Sequence, residues 1–192
     1  ITMTVSQSLQ ASVGIGANPG NTVCAGTPVT FTATPVNGGN NPAYQWFNGA
    51  NPIVGETAST YVLNTPVNGD AISVQLTSNE ACVVNNPATS NTITITIEQP
   101  LPVSVSISAN PGNTICAGTA VTFTATPVNG GANPSYQWFN GGNIIQGEIG
   151  STFTSSSLVN SDVISVQLTS NGACVSGNPA TSNAITMNVT QP

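Results

Sequence analysis

The sequence predicts an all-β chain built as two tandem β-sandwich domains stacked end to end. Two observations carry that expectation. The stretch 17–49, "ANPGNTVCAGTPVTFTATPVNGGNNPAYQWFNG", returns at 109–141 as "ANPGNTICAGTAVTFTATPVNGGANPSYQWFNG", and the match runs without a gap from 17–100 onto 109–192, an offset of 92 throughout. About 59 of the 84 aligned residues are identical, the mark of a tandem duplication; a unit of this length is far too long for a solenoid repeat and suits a whole sandwich. Within each unit, short runs alternate apolar and polar residues between clusters of Gly, Pro and Asn, which is strand patterning with turn punctuation.

Taken in order, the first unit reads as strand A over about 9–17, B over 28–34 ("PVTFTAT"), C over 43–47 ("AYQWF"), a short edge strand near 52–54, E over 58–63 ("ASTYVL"), F over 71–77 ("AISVQLT") and G over 92–97 ("TITITI"). Period-2 alternation places Val29, Phe31 and Ala33 of B, Tyr44 and Trp46 of C, and Ile72, Val74 and Leu76 of F on the inward faces. Seven short strands make a two-sheet sandwich the economical fold. Trp46 and Trp138 fall on the strand that holds the core Trp of immunoglobulin-like domains, so the expected architecture is immunoglobulin-like, with Phe31, Trp46, Phe123 and Trp138 in the cores.

The repeats are expected at 9–97 and 103–192. Between them, 98–102 ("EQPLP") holds two prolines, which lack an amide proton and fix φ, so it reads as a short stiff linker. At the same offset "ITMTV" (1–5) falls on "ITITI" (93–97) and "ITMNV" (185–189), and so reads as the final strand of a preceding repeat. Donation of that strand to a neighbouring subunit is the competing explanation. It is weakened because both units already own a G strand.

The chain has no Lys, Arg or His and six acids among 192 residues. Phosphate neutralisation and attraction to anionic lipid both need cationic side chains, so nucleic acid and electrostatic membrane binding are excluded. No apolar run approaches the roughly 18 residues that span a bilayer, so no membrane insertion is expected, and no signal peptide is visible. Solubility falls to Thr, Ser, Asn and Gly, while 39% apolar residues suffice for a core.

Cys24 and Cys82 stand 58 apart, as do Cys116 and Cys174. An even cysteine count without zinc-like spacing favours disulfides in an oxidising compartment. Cys24 precedes strand B and Cys82 follows strand F, which puts them at opposite ends of one sandwich, roughly 25 Å apart, where a disulfide tolerates only about 7 Å between Cα atoms. The preferred pair is therefore Cys24–Cys174 between repeats, with Cys82 and Cys116 pairing to adjacent repeats. The alternative is Cys24–Cys82 and Cys116–Cys174 within repeats.

Catalysis needs a positioned acid, base, nucleophile or metal. Glu56, Asp70, Glu80, Glu98, Glu148 and Asp162 are scattered singly, mostly in turns, so neither an enzyme nor a calcium site is expected, and no cofactor. The loops "PVNGGNNP" (35–42) and "NNPATSN" (85–91) offer amides for sugars, with Asn40, Asn41, Asn85 and Asn86 as candidate glycan contacts, although turns demand the same residue types.

"CAGTPVTFTATPVNGG…PAYQWF" followed by "GDAISVQLTSNEACV…NPATSNTITITI" resembles the immunoglobulin- or PKD-like repeats of very large Bacteroidetes surface proteins, the SprB-type gliding adhesins and related secreted filament proteins. The resemblance covers essentially the whole chain. It implies export to the cell surface and a non-catalytic stalk or adhesive fibre, whose partners are further copies of the repeat, other fibre chains or surface glycans. Missing Lys excludes Lys–Asn isopeptide cross-links, leaving cysteine as the means of locking joints. A glycan-binding module using the Asn/Gly loops is the alternative function, and an accessory domain of a secreted hydrolase is a third.

Overall fold

The computed structural model describes residues 7–191, so the stretch 1–5, expected as the strand of a preceding repeat, lies outside the described residues. The chain divides into two compact units, Ile1–Gln99 and Pro100–Pro192. The first holds β1 (Leu9–Gln10), β2 (Ser12–Asn18), β3 (Thr22–Cys24), β4 (Val29–Val36), β5 (Ala43–Asn48), β6 (Asn51–Pro52), β7 (Thr60–Leu63), β8 (Ala71–Thr77), β9 (Val83–Val84), β10 (Ala88–Thr89), β11 (Ile93–Thr94) and β12 (Thr96–Glu98). In the second unit β13 (Leu101–Pro102) to β24 (Asn188–Thr190) start and stop 92 residues later, strand for strand. The duplication seen in sequence is thus a duplication of secondary structure down to the residue. Of the segment 98–102, Glu98 closes β12 and Leu101–Pro102 form β13, leaving only Gln99 and Pro100 between strands.

Each unit is an immunoglobulin-like sandwich. One sheet runs β2-β4-β7, antiparallel throughout; the other sets β5 between β6 and β8, with β10 and β11 both pairing the far side of β8. Two short parallel ladders, β1 with β9 and β3 with β12, close the sides.

Two expected strands are broken. Strand A, expected unbroken over 9–17, divides at Ala11 into β1 and β2, where the chain leaves β9 for β4; β2 ends at Asn18, before Pro19, which has no amide proton to continue the ladder, and β3 follows as a separate strand. Strand G, expected unbroken over 92–97, divides into β11 and β12, with β10 paired beyond it. Ahead of β11, Asn91 turns its side chain to β2: its Oδ1 accepts from Ile15 N at 2.9 Å and its Nδ2 donates to Ile15 O at 3.3 Å, standing in for a backbone partner. The short edge strand lies at 51–52 instead of 52–54.

Burial follows the alternation. Val29, Phe31, Ala33, Trp46, Ile72, Val74 and Leu76 are buried and Tyr44 is half-buried. Trp46 is fully enclosed, with ring centroids 6.2 Å from Phe31 and 5.8 Å from Tyr61, and its indole Nε1 donates to Ala58 O at 2.9 Å. A buried Trp carries a polar N–H that must find an acceptor, and this one does. Trp138 repeats the arrangement with Phe123, Phe153 and Gly150 O.

Turn chemistry claims both aspartates. Asp70 Oδ1 accepts from Asn48 Nδ2 at 2.8 Å and Oδ2 from Val67 N at 2.8 Å, while Asn48 Oδ1 accepts from Ala71 N at 2.9 Å. Asp162, Asn140 and Val159 form the same clasp. Asp70→Ala strands the Val67 amide and the Asn48 carboxamide, so urea titration should show a loss of about 1–3 kcal/mol. An unchanged midpoint would reject the clasp as a stabilising feature.

The repeats differ at one aromatic position, Tyr61 against Phe153. Burial, with the nearby Glu56 and Asp70 carboxylates, pushes the Tyr61 phenol above its ordinary value of 10.0. The folded chain then holds this proton more tightly than the unfolded chain. That contribution is intact below pH 10 and is lost as pH rises through the folded-state value. The first repeat should therefore lose stability above about pH 10, and Tyr61→Phe should reduce that loss in an alkaline melting series.

Candidate functional site

The residues with chemistry beyond packing gather at the two ends of each sandwich. At one end, β3 carries Cys24 beside Glu98, the last residue of β12; Ala25 N donates to Glu98 O at 3.0 Å and Thr27 N to Cys24 O at 3.0 Å. At the other end, Leu9 N donates to Cys82 O at 3.0 Å and Ala11 N to Val84 O at 2.9 Å, tying the loop after β8 to the start of the chain's first ladder. Register confirms that these ends oppose each other: Asn18 faces Thr30 near the Cys24 end, and Ser12 faces Val36 near the Cys82 end. The eight residues of β4 between them span roughly 25 Å.

Cys24 and Cys174 are disulfide-bonded, whereas Cys82 and Cys116 carry free, exposed thiols. Neither within-repeat pair, Cys24–Cys82 or Cys116–Cys174, therefore forms. By the offset of 92, Cys116 is the counterpart of Cys24 and Cys82 that of Cys174. Each kind of position thus occurs once oxidised and once reduced.

The loops singled out for their amides lie together at the Cys82 end. Asn79 N donates to Gly38 O at 3.1 Å, Asn79 Oδ1 accepts from Asn41 N at 3.1 Å, and Ser78 Oγ donates to Asn37 O at 2.6 Å. Two of the candidate sugar contacts are engaged internally: Asn86 brackets Ser78, accepting from its N at 2.9 Å and donating to its O at 2.8 Å, and Asn85 Nδ2 donates to Ala11 O at 3.0 Å. Among the described residues no hydrogen bond engages the Asn40 or Asn41 side chain, and Asn40 is replaced by Ala132 in the second repeat. Ser78 and Asn79, the linchpins of this end, were missed by sequence reasoning. The signal available was "TSN", kept identical at 77–79 and 169–171.

Among the described residues no three His, Cys, Asp or Glu side chains gather where they could hold a metal ion. Among the described residues no helix is long and apolar enough to cross a membrane.

No protein-family model matches the chain, and no curated protein is similar to it in sequence. Among solved structures it is similar to three N-terminal domains of the Highly Immunogenic Outer Capsid protein (Hoc) of bacteriophage RB49, at 13% identity and a TM-score of 0.41, over 95% of this chain and 59% of that one. It thus spans less than two thirds of the length of that solved chain. It is similar also to the ligand-binding domain of human OSCAR, at 16% identity and a TM-score of 0.37, over 95% of this chain and 100% of that one. Both likenesses are distant, and the immunoglobulin-like assignment stands on the strand order and register themselves.

Proposed function

We propose that the chain is a non-catalytic structural segment of an extracellular, repeat-built surface filament or adhesin stalk of the SprB-type Bacteroidetes group, spacing or presenting an adhesive tip. The observation that carries this reading is the cysteine arrangement: equivalent positions at opposite ends of each repeat, with Cys24 and Cys174 oxidised. A disulfide persists in an oxidising compartment, which fits export. Cys24 paired with Cys174 would staple one repeat to the next, and Cys82 and Cys116 would do the same with repeats on either side.

A durable fibre should resist proteolysis at its loops. Trypsin is uninformative, because the chain has no Lys or Arg to cut after. Subtilisin and elastase are the useful probes, and we expect the fragment to survive long digestion with the loops at 35–42 and 78–87 uncut. Rapid cleavage there would count against the reading. Electron micrographs of native material should show filaments with a regular axial spacing.

The second reading is a glycan-binding module. Asn40 and Asn41, whose side chains remain uncommitted, favour it, and it predicts glycan-array binding that is lost when both are replaced by Ala.

A further inference from the structure

We propose that the second repeat binds a small organic monocation, an amine with an apolar body, in a cavity beside Phe153 that neither functional reading above uses. The cavity measures about 350 Å³, toward the lower end of the roughly 300–1,000 Å³ of small-molecule pockets. Buried Phe153, Leu158 and Ile164 line it on the core side, and Asn140, Ser157 and Asp162 line it toward solvent. Phe153, Asn140 and Ile164 are held on β19 (Thr152–Ser155), β17 (Ser135–Asn140) and β20 (Val163–Thr169), while Ser157, Leu158 and Asp162 come from the turn joining β19 to β20.

The charge of the lining selects the occupant. Of the described residues around the cavity, Asp162 alone is ionisable. Its Oδ1 accepts from Asn140 Nδ2 at 2.9 Å and its Oδ2 from Val159 N at 2.8 Å, both neutral donors. A carboxylate offers about four lone-pair sites, so each oxygen keeps room for a further donor. The chain has no Lys, Arg or His, so a cationic donor can come only from another molecule. The first repeat reports the field at this place. There Tyr61 stands in the Phe153 position, and the Glu56 and Asp70 carboxylates both oppose ionisation of its phenol. Glu148 and Asp162 hold the same positions in the second repeat, and a field that opposes a phenolate favours an ammonium.

The duplication itself singles out the cavity. Across the aligned repeats the longest unbroken run of differences is 61–66 against 153–158. That run supplies Phe153, Ser155, Ser157 and Leu158 to the lining, where the first repeat has Tyr61, Leu63, Thr65 and Pro66. Phe in place of Tyr and Ser in place of Leu both leave more room beside an aspartate common to the two repeats. The apolar body of the ligand would rest on Phe153 and Leu158, with its ammonium donating to Asp162.

The probes are phenethylamine, phenethyl alcohol and phenylacetate, which share a phenyl body and differ in charge. In an amide NMR titration of the whole chain, phenethylamine should shift Ser157, Val159 and Asp162. The alcohol and the carboxylate should bind about tenfold more weakly or worse. Phe153→Tyr installs the residue that the first repeat accommodates, and it should abolish the shifts. Asp162→Asn should weaken the amine about tenfold and leave the alcohol unchanged; should that variant unfold, Phe153→Tyr still decides. Equal affinity for the three probes would overturn the selection of a cation. Shifts that persist in Phe153→Tyr, or no shifts at millimolar amine, would overturn the site.

Discussion

Trp46→Ala should destabilise the first repeat by about 3–5 kcal/mol, the cost of emptying a large aromatic site that cannot collapse. The site is closed on every side: Trp46 is fully buried, tilted at 52° to Phe31 and 37° to Tyr61, and its Nε1 bond to Ala58 O ties the core to the chain just before β7. Removing the indole leaves that carbonyl without its donor as well as opening a cavity. The two cores share no residue, so the damage should be confined to one repeat. Because the chain has two Trp, the variant keeps a single reporter, Trp138, in the undamaged repeat. In a urea titration, far-UV ellipticity should show a new early transition while Trp138 emission stays native through it. Emission moving with the early transition would mean that the repeats unfold as one.

Why Trp46 was legible and the loop contacts were not is a matter of range. Phe31, Trp46, Ile72, Val74 and Leu76 announce themselves because burial on one face of a strand imposes a period of two, and the structure honours it at every one of these positions. The cysteine logic was legible for a related reason, since strand length and chain order fix which end of a sandwich a loop occupies. Strand G was misjudged because "NTITITI" alternates as a strand should, while its break falls at Ile95, where the chain leaves β8 for β3: Ile95 N donates to Asp70 O and Thr96 N to Asn21 O, partners distant in sequence. Ser78 and Asn79 were invisible for the same reason. Their partners Asn37, Gly38 and Asn41 lie in another turn, and Asn, Ser and Gly are expected in turns whatever they bond.

Gly39→Ala should cost about 2–4 kcal/mol, an effect far larger than its chemistry suggests. Gly39 sits at φ +81°, where a side chain is strained by about 1–3 kcal/mol. A methyl group there would also run into Asn79 Oδ1 and come within 2.9 Å of Glu80 N, so Asn79 must move and release Asn41 N. Gly49 supplies the control: it has φ +60° with nothing within 4 Å of an added Cβ, so Gly49→Ala should show only the backbone strain. The difference between the two variants in urea isolates the packing of the 35–42 loop on the segment after β8. That segment leads into Cys82, and Asn79 N is bonded to Gly38 O, so displacing one loop disturbs the other. Cys82 should therefore react faster with a small thiol reagent in Gly39→Ala than in Gly49→Ala, with Cys116 unaffected in both. Equal rates would show that Cys82 is held through its backbone carbonyl, which accepts from Leu9 N, and owes nothing to the amide-rich loop.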